Sequence, residues 1–219
     1  MVAETQSSTR RNQIVAGLLL SLGGANLPLG AWGERLRVFG PLLGHEVLWW
    51  ALVAVILLYV SLVERQPLPS IGFRRFGIWG VLSAILAGVL MVVGIVLIYS
   101  VVFPTLHLQM NTRQMSHLLA TPFWYRLMLV TRAAFAEETL FRGYPIERLK
   151  EITGSNLVAG IVSWAAFTIA HLNSWGWAQL LVAGFGGVIL TVLYLWRRNL
   201  WVNIIAHWIA DGSGFLMPH

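Results

Sequence analysis

Residues 134–149 read AFAEETLFRGYPIERL and place two adjacent glutamates inside a long apolar stretch of the chain. The surrounding segment, near residues 125–149, is long enough to cross a bilayer as a helix. A charged side chain near the bilayer centre costs at least about 2.5–3.5 kcal/mol, and it is kept when it faces the bundle interior, pairs with another charge or takes part in function. We therefore expect Glu137 and Glu138 to face the interior of a helix bundle.

The composition of the whole chain is that of a membrane protein. Of its 219 residues, 57% are hydrophobic and 11% are charged, whereas soluble domains carry about 25% charged residues. The chain has no cysteine, which excludes disulfides, thiolate metal sites and a cysteine nucleophile. The predicted fold class is all-α, a polytopic bundle of transmembrane helices.

Seven apolar segments are long enough to be transmembrane helices, at about 20 residues each. They lie near residues 13–32, 46–63, 77–101, 125–149, 155–172, 177–196 and 200–217. Gly23, Gly24 and Pro28 interrupt the first segment, which we interpret as a retained helix, with a signal anchor or a cleaved signal peptide as the alternatives. The predicted organisation is a polar N-terminal tail over residues 1–12 and a single transmembrane domain over residues 13–219.

The basic residues predict an orientation. With seven spans, one side of the membrane carries nine Arg and Lys residues and the other carries four. The first set is Arg10, Arg11, Arg65, Arg74, Arg75, Arg148, Lys150, Arg197 and Arg198, and the second is Arg35, Arg37, Arg113 and Arg126. By the positive-inside rule the N-terminus is cytoplasmic. The net charge of +6 is therefore read as a sign of membrane orientation, and no nucleic-acid partner is expected because no basic stripe with interleaved aromatics is present.

Polar residues at helical spacing mark three of the predicted spans. In the fourth, Glu138 and Arg142 are four residues apart in the order that favours an ion pair, and Glu137 points about 100° away from them. In the fifth, Phe167 and His171 share one helix face. The seventh carries a polar stripe on an otherwise apolar helix, formed by Asn203, His207 and Asp211.

These residues can form one site only if they lie at similar depths. At about 1.5 Å per residue, Glu138 lies about 17 Å from the cytoplasmic end if its helix continues to about residue 149. The same arithmetic places His171 at about 24 Å, His207 at about 12 Å and Asp211 at about 18 Å. Tilt, together with a kink at Pro145, can close this spread. The sequence thus predicts a single site on the condition that the fourth helix continues past Pro145.

Two carboxylates and two histidines in a membrane pocket suit proton-transfer chemistry. Glu137 is the candidate general base toward water, His171 can position the same water, and His207 can donate a hydrogen bond to a developing oxyanion. No Ser or Cys nucleophile with a paired base is evident, which disfavours a covalent acyl-enzyme. Glu, His and Asp are acceptable zinc ligands, but the His-Glu-x-x-His helix of many zinc proteases is absent, so a metal-free mechanism without cofactors is favoured over zinc.

Three motifs on successive spans resemble a known family. EETLFR is similar to the pattern Glu-Glu-x-x-x-Arg, FTIAH to Phe-x-x-x-His and HWIAD to His-x-x-x-Asn/Asp. In this order they resemble the CPBP intramembrane proteases, which include the CAAX prenyl endopeptidases and bacteriocin-processing or abortive-infection homologues. The resemblance covers residues 125–217, which would form the catalytic core, with the active site inside the bundle.

The resemblance implies a role for each matching residue. Glu137 would activate water, His171 would help to hold it, and Glu138 with Arg142 would support the site. His207 and Asp211 would form the oxyanion-binding pair. Because an ionised Asp cannot donate a hydrogen bond, water-holding or orientation of the histidine is the better expectation for Asp211. Phe167 and Asn203 are expected in the second layer around the site, and Asn203 fits an interhelical hydrogen bond better than a catalytic role.

The implied function is an intramembrane endopeptidase that hydrolyses a peptide bond of a membrane-anchored protein or peptide, in the plasma membrane of a prokaryote. The alternatives are a non-catalytic immunity or scaffold protein of the same fold and, ranked last, a transporter or proton relay. Each polar residue also has a structural interpretation: Glu138 with Arg142 can be a buried ion pair, and His207 with Asp211 can staple one helix. The sequence does not identify the substrate.

Overall fold

A computed structural model describes residues 2–36 and 40–217, and all regular structure in these ranges is helical. In chain order the helices are α1 (residues 2–25), α2 (Leu29–Glu34), α3 (residues 40–63), α4 (Ile78–Thr105), α5 (Thr112–Leu119), α6 (residues 123–153), α7 (Asn156–Ala170), α8 (Trp177–Arg197) and α9 (Leu200–Phe215). The predicted all-α class is confirmed. Arg37, which entered the charge count above, lies outside the described residues.

Three helices are long and apolar enough to cross a membrane by length and composition: Leu42–Val63, Ile78–Thr105 and Trp177–Arg197. Helix α4 shows the inverted distribution expected in lipid, since its buried face is made of small residues and its large aliphatic side chains are exposed. The buried residues are Gly80, Ser83, Ala84, Ala87, Gly88 and Met91, and the exposed ones include Leu86, Val89, Leu90, Val93 and Val96. The chain is a membrane protein, and the total of seven spans stays a prediction.

The first predicted span differs from the structure. The segment 13–32 is not one helix, because the chain leaves α1 after Ala25 and begins α2 at Leu29. Pro28 lacks a backbone N–H and disfavours a helical conformation for the residue before it. Helix α1 also begins earlier than predicted, at Val2, so residues 2–12 of the predicted polar tail are helical. The domain division itself stays a prediction.

The N-terminal turns of α1 are tied to the end of α6. The guanidinium of Arg10 donates to Glu151 from Nε at 2.8 Å and from Nη2 at 2.9 Å. This hydrogen bond from Arg10 holds the pKa of the Glu151 carboxyl below its usual value. The two residues lie outside the predicted spans, so we expect this contact to lie at the membrane surface.

Helix α6 continues past Pro145, which meets the condition set by the sequence. It is α-helical over Phe123–Glu137, π-helical over Glu138–Gly143 and α-helical again over Tyr144–Thr153. In the π turn the N–H of Tyr144 donates to the carbonyl of Thr139, five residues back. The change of hydrogen-bond register absorbs Pro145 without ending the helix.

Two carbonyls about one turn before Pro145 are hydrogen-bonded by other helices. The hydroxyl of Ser21 in α1 donates to the carbonyl of Leu140 at 2.6 Å. The hydroxyl of Ser163 in α7 donates to the carbonyl of Phe141. Both serines are fully buried. Freed backbone groups in a membrane helix need such partners because lipid offers none.

Helix α6 lies in the middle of the bundle, against α1, α3, α7 and α9. Its residues Leu140, Phe141 and Tyr144 are buried in the largest apolar cluster, together with Ile56 of α3 and Phe167 of α7. A second cluster joins α4, α8 and α9 through small and aliphatic residues. The two glutamates of α6 are therefore carried on the most enclosed helix.

Two buried ion pairs join α3 to α6. Near the start of α3, Glu46 accepts a hydrogen bond from Arg132 Nε at 2.7 Å. After its end, Glu64 accepts one from Arg148 Nε at 2.8 Å. The two glutamates are 18 residues apart in the sequence, and the two arginines are 16 residues apart. At about 1.5 Å per residue, the two ion pairs therefore lie about 24–27 Å apart along the helices. The glutamate pair of α6 lies between them.

Candidate active site

Glu138 is the most fully bonded residue of the candidate site. Its Oε1 accepts from Arg142 Nη1 at 2.9 Å and from His207 Nδ1 at 2.8 Å, and its Oε2 accepts from Asn203 Nδ2 at 3.0 Å. The residue is fully buried. All three partners are donors, so Glu138 acts as an acceptor of structural hydrogen bonds and has little capacity left for substrate.

Glu137 has a different environment. Its Oε2 lies 3.9 Å from His171 Nε2 and 3.9 Å from His207 Nε2, and its Oε1 lies 3.9 Å from Arg132 Nη1. These separations are longer than direct hydrogen bonds, and the side chain keeps 15% of its surface exposed. Glu137 therefore has lone pairs that can act on a third molecule.

His171 presents a lone pair to Glu137. Its Nδ1 lies 2.9 Å from the backbone carbonyl of Phe167, and because a carbonyl can only accept, Nδ1 carries the proton. The Nε2 atom, which faces Glu137, is then an acceptor. His171 and Glu137 thus form two acceptors that face a common point.

His207 links both glutamates. Its Nδ1 donates to Glu138, and its Nε2 lies 3.5 Å from Asp211 Oδ2 as well as 3.9 Å from Glu137 Oε2. Asp211 is the more exposed of these carboxylates, at 27%. The positions fit the expectation that Asp211 orients the histidine.

Phe167 packs against the cationic and imidazole groups of the site. Its ring centroid lies 4.6 Å from that of His171 and 6.3 Å from that of His207, and the Arg142 guanidinium carbon lies 3.8 Å above it. The negative face of an aromatic ring attracts a guanidinium. Phe167 therefore belongs to the layer that supports the site.

Local capping sets where the site-bearing helices begin. The Ser155 hydroxyl accepts from the N–H of Val158 at the start of α7. The Asn199 side chain accepts from the first N–H groups of α9 and donates to the carbonyl of Arg74 at 2.9 Å. Such caps satisfy N–H groups that have no partner within the helix. They hold both helices in register with the rest of the bundle.

The structure brings all the predicted site residues together. Glu137, His171, His207 and Asp211 surround one point, and Glu138 with Arg142 lies behind them. Asn203 makes the expected interhelical hydrogen bonds, to Glu138 and to the carbonyl of Leu190 at 2.7 Å. The catalytic roles assigned to these residues stay predictions.

Sequence reasoning missed Arg132 and its partner Glu46. Arg132 precedes Glu137 by five residues, which places the two about 140° apart on an ideal helix, so helical spacing gives no reason to pair them. The available signal was Arg132 itself, because a buried arginine in an apolar helix requires a carboxylate.

Glu, His and Asp side chains are possible metal ligands. Within residues 2–36 and 40–217, no group of three or more His, Asp and Glu side chains converges in a way that could hold a metal ion. Glu137, His171 and His207 are arranged around a point at separations of 3.9 Å.

Part of the chain matches a known protein family. Residues 119–213 match the family model described as type II CAAX prenyl endopeptidase Rce1-like. No curated protein and no solved structure matches the chain. The matched region includes α6, α7, α8 and nearly all of α9, and with them every residue of the candidate site. Residues 119–213 are thus similar to the Rce1-like CAAX prenyl endopeptidases, which agrees with the resemblance of the three motifs to the CPBP intramembrane proteases.

Proposed function

We propose that this protein is an intramembrane endopeptidase that cleaves a peptide bond of a membrane-associated protein or peptide with a water activated by Glu137. The observation that carries the proposal is the difference in hydrogen bonding between the two neighbouring glutamates. Glu138 is saturated by three donors, whereas Glu137 Oε2 faces two imidazole nitrogens at equal distances of 3.9 Å. A general base must be free to accept a proton, and only Glu137 of the pair is free.

The first step uses Glu137 and His171. A water oxygen at about 2.8 Å from both Glu137 Oε2 and His171 Nε2 fits two atoms that are 3.9 Å apart. Both groups are acceptors, so the water donates to each and directs a lone pair outward. As this oxygen attacks the peptide carbonyl carbon, one water proton passes to Glu137 and the carbonyl oxygen becomes an oxyanion.

The second step uses His207. In its imidazolium form His207 donates from both ring nitrogens, with Nδ1 committed to Glu138 and Nε2 directed into the site. This Nε2–H would turn from Asp211 Oδ2, 3.5 Å away, to stabilise the oxyanion, while Glu138 holds the ring through Nδ1. Glu137 then returns its proton to the leaving nitrogen and the carbon–nitrogen bond breaks. The mechanism needs no metal, which we propose as a property of this enzyme.

The test compares the purified protein with its Glu137→Gln form in proteoliposomes. The probes are two quenched fluorogenic peptides, one with a prenylated Cys-aliphatic-aliphatic-X end and one with an unmodified transmembrane helix. We expect Glu137→Gln to lower kcat by about 10²–10⁴-fold. Glu147→Gln is the matched control, because Glu147 lies on the same helix but pairs with Arg198.

Three results would contradict the proposal. Equal cleavage by both forms would remove Glu137 as the base. Loss of activity after exhaustive chelation, with recovery on adding Zn²⁺, would replace the metal-free mechanism. Cleavage of neither peptide, with an intact cellular phenotype in the Glu137→Gln form, would favour the non-catalytic scaffold.

We also propose seven spans with a cytoplasmic N-terminus. The chain has no cysteine. Labelling of a single introduced cysteine therefore shows on which side of the membrane that position lies, without a signal from native thiols. With an impermeant maleimide on intact cells, Gln109→Cys is expected to react and Arg11→Cys to react only after permeabilisation. The reverse pattern would overturn the proposed orientation.

A further inference from the structure

The Glu46–Arg132 pair borders the candidate active site. Arg132 is 5% exposed and Glu46 is 2% exposed. Arg132 Nε donates to Glu46 Oε2 at 2.7 Å, and Arg132 Nη1 lies 3.9 Å from Glu137 Oε1. One guanidinium thus bonds a carboxylate of α3 through one nitrogen and faces the proposed base through another.

The guanidinium is fixed from several sides. The Tyr125 hydroxyl donates to Glu46 Oε1 at 3.2 Å, so both carboxylate oxygens of Glu46 have a partner. The Arg132 guanidinium carbon lies 5.2 Å from the ring centroid of Trp49, within the range of a cation–π contact. A cation held by a carboxylate and an aromatic face has few alternative positions.

This arrangement divides the two oxygens of Glu137 between two neighbours. Oε1 faces Arg132, whereas Oε2 faces His171 and His207. Without the Arg132 cation, either oxygen of the Glu137 carboxylate can turn toward the histidines. The carboxylate can then also move closer to a protonated His207 and form an ion pair with it. We propose that Arg132, held by Glu46, is the positioning residue that sets the orientation of Glu137, an inference that rests on the proposed function.

The alternative is that Glu46–Arg132 only joins α3 to α6. The chain contains a matched pair for this comparison, because Glu64–Arg148 joins the same segments and is also buried. Arg148 is 11 residues from Glu137 along α6, or about 16 Å. A purely structural role predicts similar consequences for both pairs, whereas a positioning role predicts that only Glu46–Arg132 affects the chemistry.

The kinetic experiment uses neutralised pairs, so that no unpaired buried charge remains. Glu46→Gln/Arg132→Gln is compared with Glu64→Gln/Arg148→Gln on the peptide that the native protein cleaves. We expect the first variant to lower kcat by about 10–100-fold, with KM changed by less than about threefold, since a small misplacement of a catalytic group has costs of this size. The second is expected to stay within about threefold in kcat.

Two single variants sharpen the result. Arg132→Lys keeps a cation but not the planar fork, and it is expected to recover part of the kcat lost in Arg132→Gln. Equal kcat losses in both neutralised pairs, or a change confined to KM, would overturn the positioning role.

A second measurement does not depend on activity. Thermal unfolding midpoints of Arg132→Gln, Glu137→Gln and the double variant form a cycle that reports coupling between the two side chains. We expect a non-additive shift for this cycle and additivity within about 1 °C for Arg148→Gln with Glu137→Gln. Additivity in both cycles would overturn the pairing. If no peptide is cleaved, the proposed function fails, and this cycle still decides whether Arg132 holds Glu137.

Discussion

His207 Nδ1 lies 2.8 Å from Glu138 Oε1, so the second glutamate of the pair holds the imidazole that faces the first. The same carboxylate oxygen also accepts from Arg142. Glu138 thus has two functions that can be separated by mutation: it neutralises a buried guanidinium, and it fixes which nitrogen of His207 faces the site.

The separation can be measured with Glu138→Gln alone and with Glu138→Gln/Arg142→Met. The single change is expected to destabilise the protein by about 3–5 kcal/mol, because it leaves the Arg142 charge buried without a partner. The double change is expected to recover most of that stability, since an apolar side chain replaces the charge. Both variants are expected to lose peptidase activity. Full activity in the double variant would show that the carboxylate is not needed to orient His207.

Asp211 provides a prediction about the other side of His207. In the native protein, Asp211 Oδ2 lies 3.5 Å from His207 Nε2. The Asp211→Asn side chain keeps an acceptor oxygen near that nitrogen and adds an N–H donor for the oxyanion. We expect its kcat to stay within about tenfold of the native value, whereas Asp211→Ala loses both groups and falls further. Steady-state kinetics on the cleaved peptide test this, and an equal loss in both variants would contradict the orienting role.

The serines that bond the π turn predict a stability effect. Ser21→Ala and Ser163→Ala each remove a buried hydrogen bond between another helix and a carbonyl of α6, and each is expected to cost about 1–3 kcal/mol. Ser83→Ala is the control, because this buried serine bonds a carbonyl of its own helix. Its cost is expected to be below that of either. Unfolding in denaturing detergent measures the differences, and equal costs for all three would show that the π turn does not depend on these contacts.

The Arg10–Glu151 contact predicts a pH dependence. Because the hydrogen bond from Arg10 lowers the pKa of Glu151 below its usual value, the contribution to stability is present above that usual value and is lost as the pH falls through the lowered pKa. The pair is partly exposed, so the contribution is at most about 1 kcal/mol. The melting difference between the native protein and Glu151→Gln is therefore expected to be small at pH 7 and to vanish at pH 3. A difference that grows on acidification would contradict the assigned direction.

The sequence predicts the candidate site well because buried charges in apolar helices have few possible positions. Glu137, His171 and His207 lie on three helices, and the cost of exposing them to lipid directs them to one interior. The sequence also predicts that α6 continues past Pro145, because only then can the site residues lie at similar depths in the membrane. These inferences need the helix period and the solvent but no detailed packing.

The features that were missed depend on pairings across long stretches of chain. Arg132 bonds Glu46 from 86 residues away, and Ser21 bonds Leu140 from 119 residues away. Neither contact follows from helical spacing. Pro145 predicts a kink, but whether the helix ends there is decided by partners for its freed carbonyls. The break after Ala25 was indicated by Pro28, yet length and hydrophobicity favoured one continuous span.

The π turn over Glu138–Gly143 acts as a one-residue change of phase within α6. At its start, Glu137 and Glu138 face α7 and α9. After the π turn, Tyr144 and Arg148 face Glu64. The Tyr144 hydroxyl and Arg148 Nε each donate a hydrogen bond to the Glu64 carboxylate at 2.8 Å. A regular α-helix would rotate one of these two faces by about 100° relative to the other. The turn takes up one residue more than a regular helix does and so lets the anchoring half and the chemical half of one helix face different partners. Forcing regular α-helical hydrogen bonds on the same residues should misalign the two halves even though every charged group is retained.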